Sequence, residues 1–323
     1  MRFLTTLSIK ADTNSLIFLR VRHAAFALII LLGLAACSDP SDLWPDSHWS
    51  SYAPEYGMTV ERSVPIVMDD GATLYADIGY PTDPGTGEKA TGSFPVILSQ
   101  NQYMIPGSNN SVFQPIKYFV SHGYIYVVAQ VRGSGRTTGP DGGKVALDMF
   151  SHRMALDGVQ LVNWAASELD GSDGNIGLDG CSFLGITQLF TAAEVGPDSP
   201  VKAIAPSCAG NSYELYFPGG MMAGTTLLTA FTPALVITGT KNFSANADLI
   251  GTLSKREQLG EDEAYNREHW QTRDTINTAE KIVANGIPAL LWTGWHAAES
   301  KDALKLHVAF QNAELGRPIS AAE

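Results

Sequence analysis

Apolar and polar positions alternate from Val60 to Met68 and again from Thr73 to Tyr80, the period of strands with one buried face. Asp69-Asp70-Gly71 between them is a hairpin turn signal. After a Pro- and Gly-rich loop, Pro81 to Ser93, the stretch Phe94 to Ser99 is the kind of strand that is buried on both faces. Phe113 to His122 has helical period and stops at Gly123, and Tyr124 to Val131 is the next buried strand. Leu147 to Leu169 predicts a helix, Ile176 to Leu178 a short strand, Phe183 to Ala193 a helix and Val201 to Pro206 a strand. Pro288 to Thr293 and Asp302 to Ala313 resume the rhythm as strand and helix. Strands alternating with helices in this way predict an α/β fold, with a parallel sheet covered on both faces. Residues 211–285 interrupt the rhythm with Met221-Met222, an apolar stretch at Leu227 to Val236 and a charged one at Lys255 to Arg273. They read as a helical cap inserted over the sheet.

Composition narrows the class. The 323 residues are 45% hydrophobic and 17% charged, which suits a folded chain with a sizeable core. A net charge of −12 disfavours nucleic acid as a partner, because phosphate binding needs a basic surface. No internal repeat is visible. No H-E-x-x-H, no clustered Cys/His spacing and no G-K-[ST] phosphate loop occurs, so no cofactor or metal is expected.

The N-terminus reads as a targeting segment. Arg20, Arg22 and His23 precede Ala24 to Ala36, a run that is entirely apolar or glycine. It is shorter than the roughly 20 residues that span a bilayer and matches a signal-peptide core. It ends in Leu34-Ala35-Ala36-Cys37, which resembles a bacterial lipobox. Residues 1–36 are therefore expected to be a lipoprotein-type signal and 37–58 a tether, with Cys37 lipidated and holding an exported protein to the membrane. A simple cleaved signal or a short anchor helix is the alternative. Cys181 and Cys208 would then be the remaining thiols, either paired or reduced and buried, with the second favoured.

Chemistry is concentrated in Asn175 to Gln188. This run reads as strand, sharp turn and helix, with Ser182 on the turn, the arrangement that exposes a nucleophilic hydroxyl. Gly180 stands two residues before the serine, but Leu184 occupies the usual second glycine position and Gly185 follows it. The spacing by itself also fits an ordinary turn.

Further segments line up with it. Asp70-Gly71 with Leu74 and Asp77, Gln102-Tyr103, Val131-Arg132-Gly133-Ser134-Gly135 with Gly139, Asp157-Gly158 with Trp164, Gly180-Cys-Ser-Phe-Leu-Gly-Ile-Thr-Gln188, His269-Trp270 and Gly294-Trp295 follow one another in order. Together they resemble the CocE/X-Pro dipeptidyl-peptidase family of serine hydrolases, over roughly Val60 to Pro318. The resemblance implies an α/β-hydrolase fold at residues 59–323 with a cap at about 211–285. It implies that Ser182 attacks an ester or peptide-like amide carbonyl and forms an acyl-enzyme. The amide of Phe183 and the hydroxyl of Tyr103 would donate to the oxyanion. A core tyrosine at a strand end is the plainer reading of Tyr103. Arg132 would brace the site or form an ordinary salt bridge.

The sequence also departs from that pattern. Ala297 stands where the family places its triad acid, in Gly294-Trp-His-Ala-Ala-Glu299. Glu299 is the candidate acid, against a plain solvated carboxylate, with Asp302 behind it. None of the seven histidines sits where the family's base is expected, and His296 alone follows a sheet strand. The chain is expected to be truncated before the last strand or strands and before the family's C-terminal β-sandwich. Without a base a serine hydroxyl is a poor nucleophile. The expected function is thus a serine hydrolase represented by its N-terminal portion; the alternative is a catalytically inactive membrane-tethered lipoprotein that keeps the pocket for binding.

Overall fold

The structure is a computed structural model that describes residues 53–103, 116–210, 241–265, 267–297 and 299–319. The expected signal segment, Cys37, most of the tether and residues 211–240 of the expected cap lie outside them.

Among the described residues six strands form one sheet: β1 (Gly57–Val67), β2 (Thr73–Thr82), β3 (Phe94–Asn101), β4 (Ile125–Gln130), β5 (Ser172–Cys181) and β6 (Val201–Ser207). Their order is β1-β2-β4-β3-β5-β6. The expected hairpin pairs β1 with β2 antiparallel, and β2 also runs antiparallel to β4. From β4 onward every pair is parallel. The crossovers are α1 (Ile116–Ser121), α2 (His152–Ser167) and α3 (Phe183–Glu194). α1 closes one face over Tyr126 and Val128, while α2 and α3 lie together and cover β3 and β5. From β3 the chain crosses to β4 on one side and later returns to β5 on the other. The C-terminal ends of β3 and β5 therefore flank the sheet's switch point, where open α/β sheets leave a crevice.

Two elements differ from the sequence expectation for physical reasons. The second helix begins at His152 rather than Leu147. Phe150 has a left-handed φ of 58°, which breaks the periodic run, and the Ser151 side chain accepts the Met154 N–H as an N-cap. β5 is longer than Ile176 to Leu178. Its glycines read as loop, yet a Cβ at Gly177 would come within 3.0 Å of Ile97 Cδ1, so glycine there allows close strand packing. The expected strand at Pro288 to Thr293 joins β6 through only two parallel bridges, Ile204 to Ala289 and Ser207 to Trp292. Leu290 and Trp292 project outward and are exposed.

A charge network fastens the turn after β1 to the helix layer. Arg132, just past β4, makes a two-pronged contact to Asp157 of α2, at 2.8 and 2.7 Å, and reaches Asp70 at 2.9 Å. Arg153 also reaches Asp157 at 2.8 Å and Asp69 at 2.9 Å. Burial opposes ionisation of Asp70, but Arg132, the Ala72 N–H and the charge of Arg153 together outweigh it and hold the carboxyl below its usual range. Arg132 thus braces the fold.

The described part of the expected cap, residues 241–285, starts with α4 (Phe243–Gln258), continues through the short α5 (Glu268–Gln271), and ends in α6 (Ala279–Ala284) against α3. Buried Asn242 and Asn246, one helical turn apart, each hydrogen-bond the loop after β4. Asn242 donates to the Thr137 carbonyl and accepts from Val145 N–H; Asn246 donates to the Gly133 carbonyl and accepts from Leu147 N–H. α7 (Ser300–Glu314) closes the described chain.

Asp157→Ala removes the shared partner of two arginines, one of them buried. The expected loss is about 3–5 kcal/mol of unfolding free energy in a urea titration; a loss below about 1 kcal/mol, typical of surface pairs, would show that the network does not hold the hairpin.

Candidate active site

Ser182 occupies the turn between β5 and α3 with φ 61° and ψ −123°. A left-handed backbone on a residue with a Cβ costs about 1–3 kcal/mol and persists only where neighbours enforce it. Here the Ser182 N–H donates to Ser207 O of β6 at 2.9 Å, and its own carbonyl accepts from Gly185 and Ile186 N–H at 2.8 and 2.9 Å. The glycine spacing follows from the same geometry. A Cβ at Gly180, whose φ is 146°, would collide with Leu184 Cβ. A Cβ at Gly185 would stand 2.6 Å from Ser207 O and 3.0 Å from Ala209 Cβ. The second glycine is therefore needed one position later than the common spacing, because Gly185 is the residue that meets β6.

Gln188, the last residue of the sequence motif, holds the turn in place. It is buried, donates to Gly180 O at 3.2 Å and Leu184 O at 3.0 Å, and accepts from Ala205 N–H at 3.0 Å. One side chain thus ties the turn, the helix and β6 together. Asp157-Gly158 has a comparable reason: a Cβ at Gly158 would strike Thr191 Oγ1 and approach Gln100. Gln100 donates to Thr191 at 2.7 Å, so α2, α3 and β3 meet at one point below the turn.

Phe183 opens α3, and the first amides of a helix lack intrahelical partners. Among the described residues the Phe183 N–H takes no hydrogen bond, and the helix N-terminus favours negative charge near it. Its ring is buried against Phe150 at 4.9 Å and against Tyr103 at 6.4 Å, edge to face. Tyr103 follows β3, is half-buried, and donates its amide to Asn101 Oδ1 at 2.6 Å. The two switch-point strands therefore carry Tyr103 and Ser182-Phe183 side by side.

Glu299 stands just before α7, half-buried. Its side chain lies so close to Gly210 that a Cβ there would be 2.9 Å from both Glu299 Cβ and Cγ. The Glu299 carboxylate also acts electrostatically on Cys181, next to the nucleophile. Asp302 is buried in the first turn of α7. Trp295 and His296 are on an exposed turn closed by the Ala297 N–H to Gly294 O bond of 3.0 Å. Among the described residues no hydrogen bond joins Ser182 to a histidine, and no cluster of three or more His, Cys, Asp and Glu side chains could hold a metal ion.

The family model of the X-Pro dipeptidyl-peptidase (S15 family) matches residues 70–317. This chain belongs to the X-Pro dipeptidyl-peptidase family. Cocaine esterase of Rhodococcus sp. (strain MB1 Bresler) is 27% identical over 293 residues, which cover 79% of this chain and 47% of that protein. The chain thus spans less than half the length of that relative. A CocE/NonD family hydrolase from Staphylococcus aureus superposes with a TM-score of 0.52 at 24% identity, over 68% of this chain and 39% of that one. A second structure of that hydrolase gives a TM-score of 0.51 at 25% identity, over 67% and 38%. The architecture is the α/β-hydrolase fold.

In this member of the S15 family an acidic group lies beneath the turn. Asp179, three residues before Ser182, accepts the Tyr126 hydroxyl at 2.9 Å. Burial raises its pKa above the usual carboxylate value, more than the Tyr126 and Gly180 hydrogen bonds lower it. The folded chain therefore holds this proton more tightly than the unfolded one. Stability falls as pH rises from the unfolded to the folded pKa, and the deficit persists above that window. Asp179→Asn, which cannot ionise, is expected to raise the urea midpoint at about pH 7, with the gain shrinking towards about pH 4. A gain that grew on acidification would reverse the assignment.

Proposed function

We propose that this chain carries the nucleophile and oxyanion donors of a serine hydrolase that cleaves ester or peptide-like amide bonds. The supporting observation is the strained backbone of Ser182 between β5 and α3, with the Phe183 amide, unpartnered among the described residues, beside it and Tyr103 across the switch point. Ser182 Oγ bonds to the carbonyl carbon and the carbonyl oxygen becomes an oxyanion, which accepts from Phe183 N–H and Tyr103 Oη–H. Collapse expels the alcohol or amine, and water then frees the acid and restores Ser182. The serine proton needs a base, which this reading places outside the described residues; Glu299 would orient it. Esters and amides of small acyl groups or peptides are the substrate class.

A second reading is favoured by Ala297 in the acid's usual place: a protein that retains the pocket for binding. Steady hydrolysis of a p-nitrophenyl ester that Ser182→Ala abolishes would dispose of it. The lipobox-like Leu34-Ala-Ala-Cys37 supports an exported, membrane-tethered location. Labelled palmitate should enter the bacterially expressed protein and be lost in Cys37→Ser; equal incorporation in both would remove the anchor.

A fluorophosphonate probe should label the chain at Ser182 and leave Ser182→Ala unlabelled. Tyr103→Phe should slow labelling by about 10²–10³-fold, the usual cost of one oxyanion donor. Labelling that survives Ser182→Ala would reassign the nucleophile.

A further inference from the structure

Cys181 and Cys208 play no part in the chemistry above, yet both stand at the C-terminal ends of strands beside Ser182. In the parallel pairing of β5 with β6, Cys181 is in register with Ser207, and Cys208 is one residue beyond. Neighbouring strands lie about 4.8 Å apart and a residue advances about 3.3 Å along each. A residue one step past the register partner is thus roughly 6 Å away, inside the Cα separation of about 4.4–6.8 Å that a disulfide spans.

Strand alternation would send the Cys208 side chain to the face opposite Ser207 and Cys181. It does not, because Cys208 takes a left-handed φ of 48° while its N–H stays bonded to Trp292 O at 3.0 Å. Both thiols are free and both are partly exposed. Burial and the contact with Cys208 push the Cys181 thiol up to about 12, so it stays protonated in neutral solution. The dithiol therefore persists until a partner drives exchange.

We propose that Cys181 and Cys208 form a modification site, a dithiol that closes to a disulfide against a small disulfide oxidant and thereby governs the reactivity of Ser182. The control over Ser182 rests on the nucleophile reading above. Closure is balanced as two thiols and one oxidant disulfide giving the Cys181–Cys208 disulfide and two small thiols. One protein thiol attacks first and releases one small thiol through a mixed disulfide; the second releases the other. The new bond draws in the residue before the nucleophile. Displacements of the order of 1 Å at a reacting group can cost about 10²-fold. The same pair should chelate a trivalent phenylarsenical, forming two As–S bonds with loss of two waters.

The test uses the full chain as Cys37→Ser, so that only these two of its three cysteines remain. Oxidised glutathione should remove two hydrogens from the intact mass and abolish both titratable thiols without leaving glutathione attached. Fluorophosphonate labelling should fall about 10–100-fold and return with reductant. Cys208→Ser should label equally before and after oxidant. Two thiols that survive oxidant and phenylarsenical would overturn the site. A closed disulfide with unchanged labelling would overturn the control. Absence of labelling in the reduced protein would overturn the control, while the mass still reports the bridge, and labelling that survives Ser182→Ala would overturn the Ser182 reading on which the control rests.

Discussion

The left-handed backbone at Ser182 is a conformation the serine would not choose, and much of the surrounding structure exists to impose it. Its N–H is tied to β6, its carbonyl is taken by the first turn of α3, and Gln188 locks the same three elements from below. Gly180 and Gly185 remove the two side chains that would prevent the approach. Relaxing φ at this one residue would require β6 to withdraw or α3 to rotate. Each is buried against the helix layer, so the strain is supported by a large part of the core rather than by one contact.

Topology supplies the other half of the site. A crevice forms only where consecutive crossovers leave a strand in opposite directions, and here that place lies between β3 and β5. Tyr103 and Ser182 are separated by almost the whole length of two crossovers in sequence, yet they emerge beside each other because their strands are neighbours. The charge network at Arg132 works further out, joining the hairpin turn to α2, and stands apart from the chemistry.

The sheet and its helices were legible because period-two and period-3.6 patterns report directly on burial. Legibility failed where a local backbone state overrode the pattern. Phe150 is apolar and in phase with the helix that follows, but its positive φ excludes it. β5 extends to both sides of the expected Ile176 to Leu178, and Gly177 within it leaves room for the Ile97 side chain of β3. Ser182, Phe183 and Tyr103 were named from motif order, and the structure groups them. The reason for the displaced glycine at 185 required coordinates, since it lies in the distance to Ser207 on another strand. Gln188 had a visible place in the motif but its role is three hydrogen bonds to separate elements, which no local pattern encodes. Asn242 and Asn246 are a visible pattern, two asparagines one helical turn apart, but their partners lie in a loop about a hundred residues earlier.

Those two asparagines have a wider consequence. Each side-chain amide donates to one residue of the loop after β4 and accepts from another, so α4 is seated mainly by hydrogen bonds to main chain, with Thr137 Oγ1 and a Lys144 to Ser244 contact added. The start of α4 is thereby moored to the loop that follows β4. The attachment of α4 and the arginine that braces the hairpin turn thus share one stretch of main chain, residues 132–147, so a shift of that loop would be felt at both places at once.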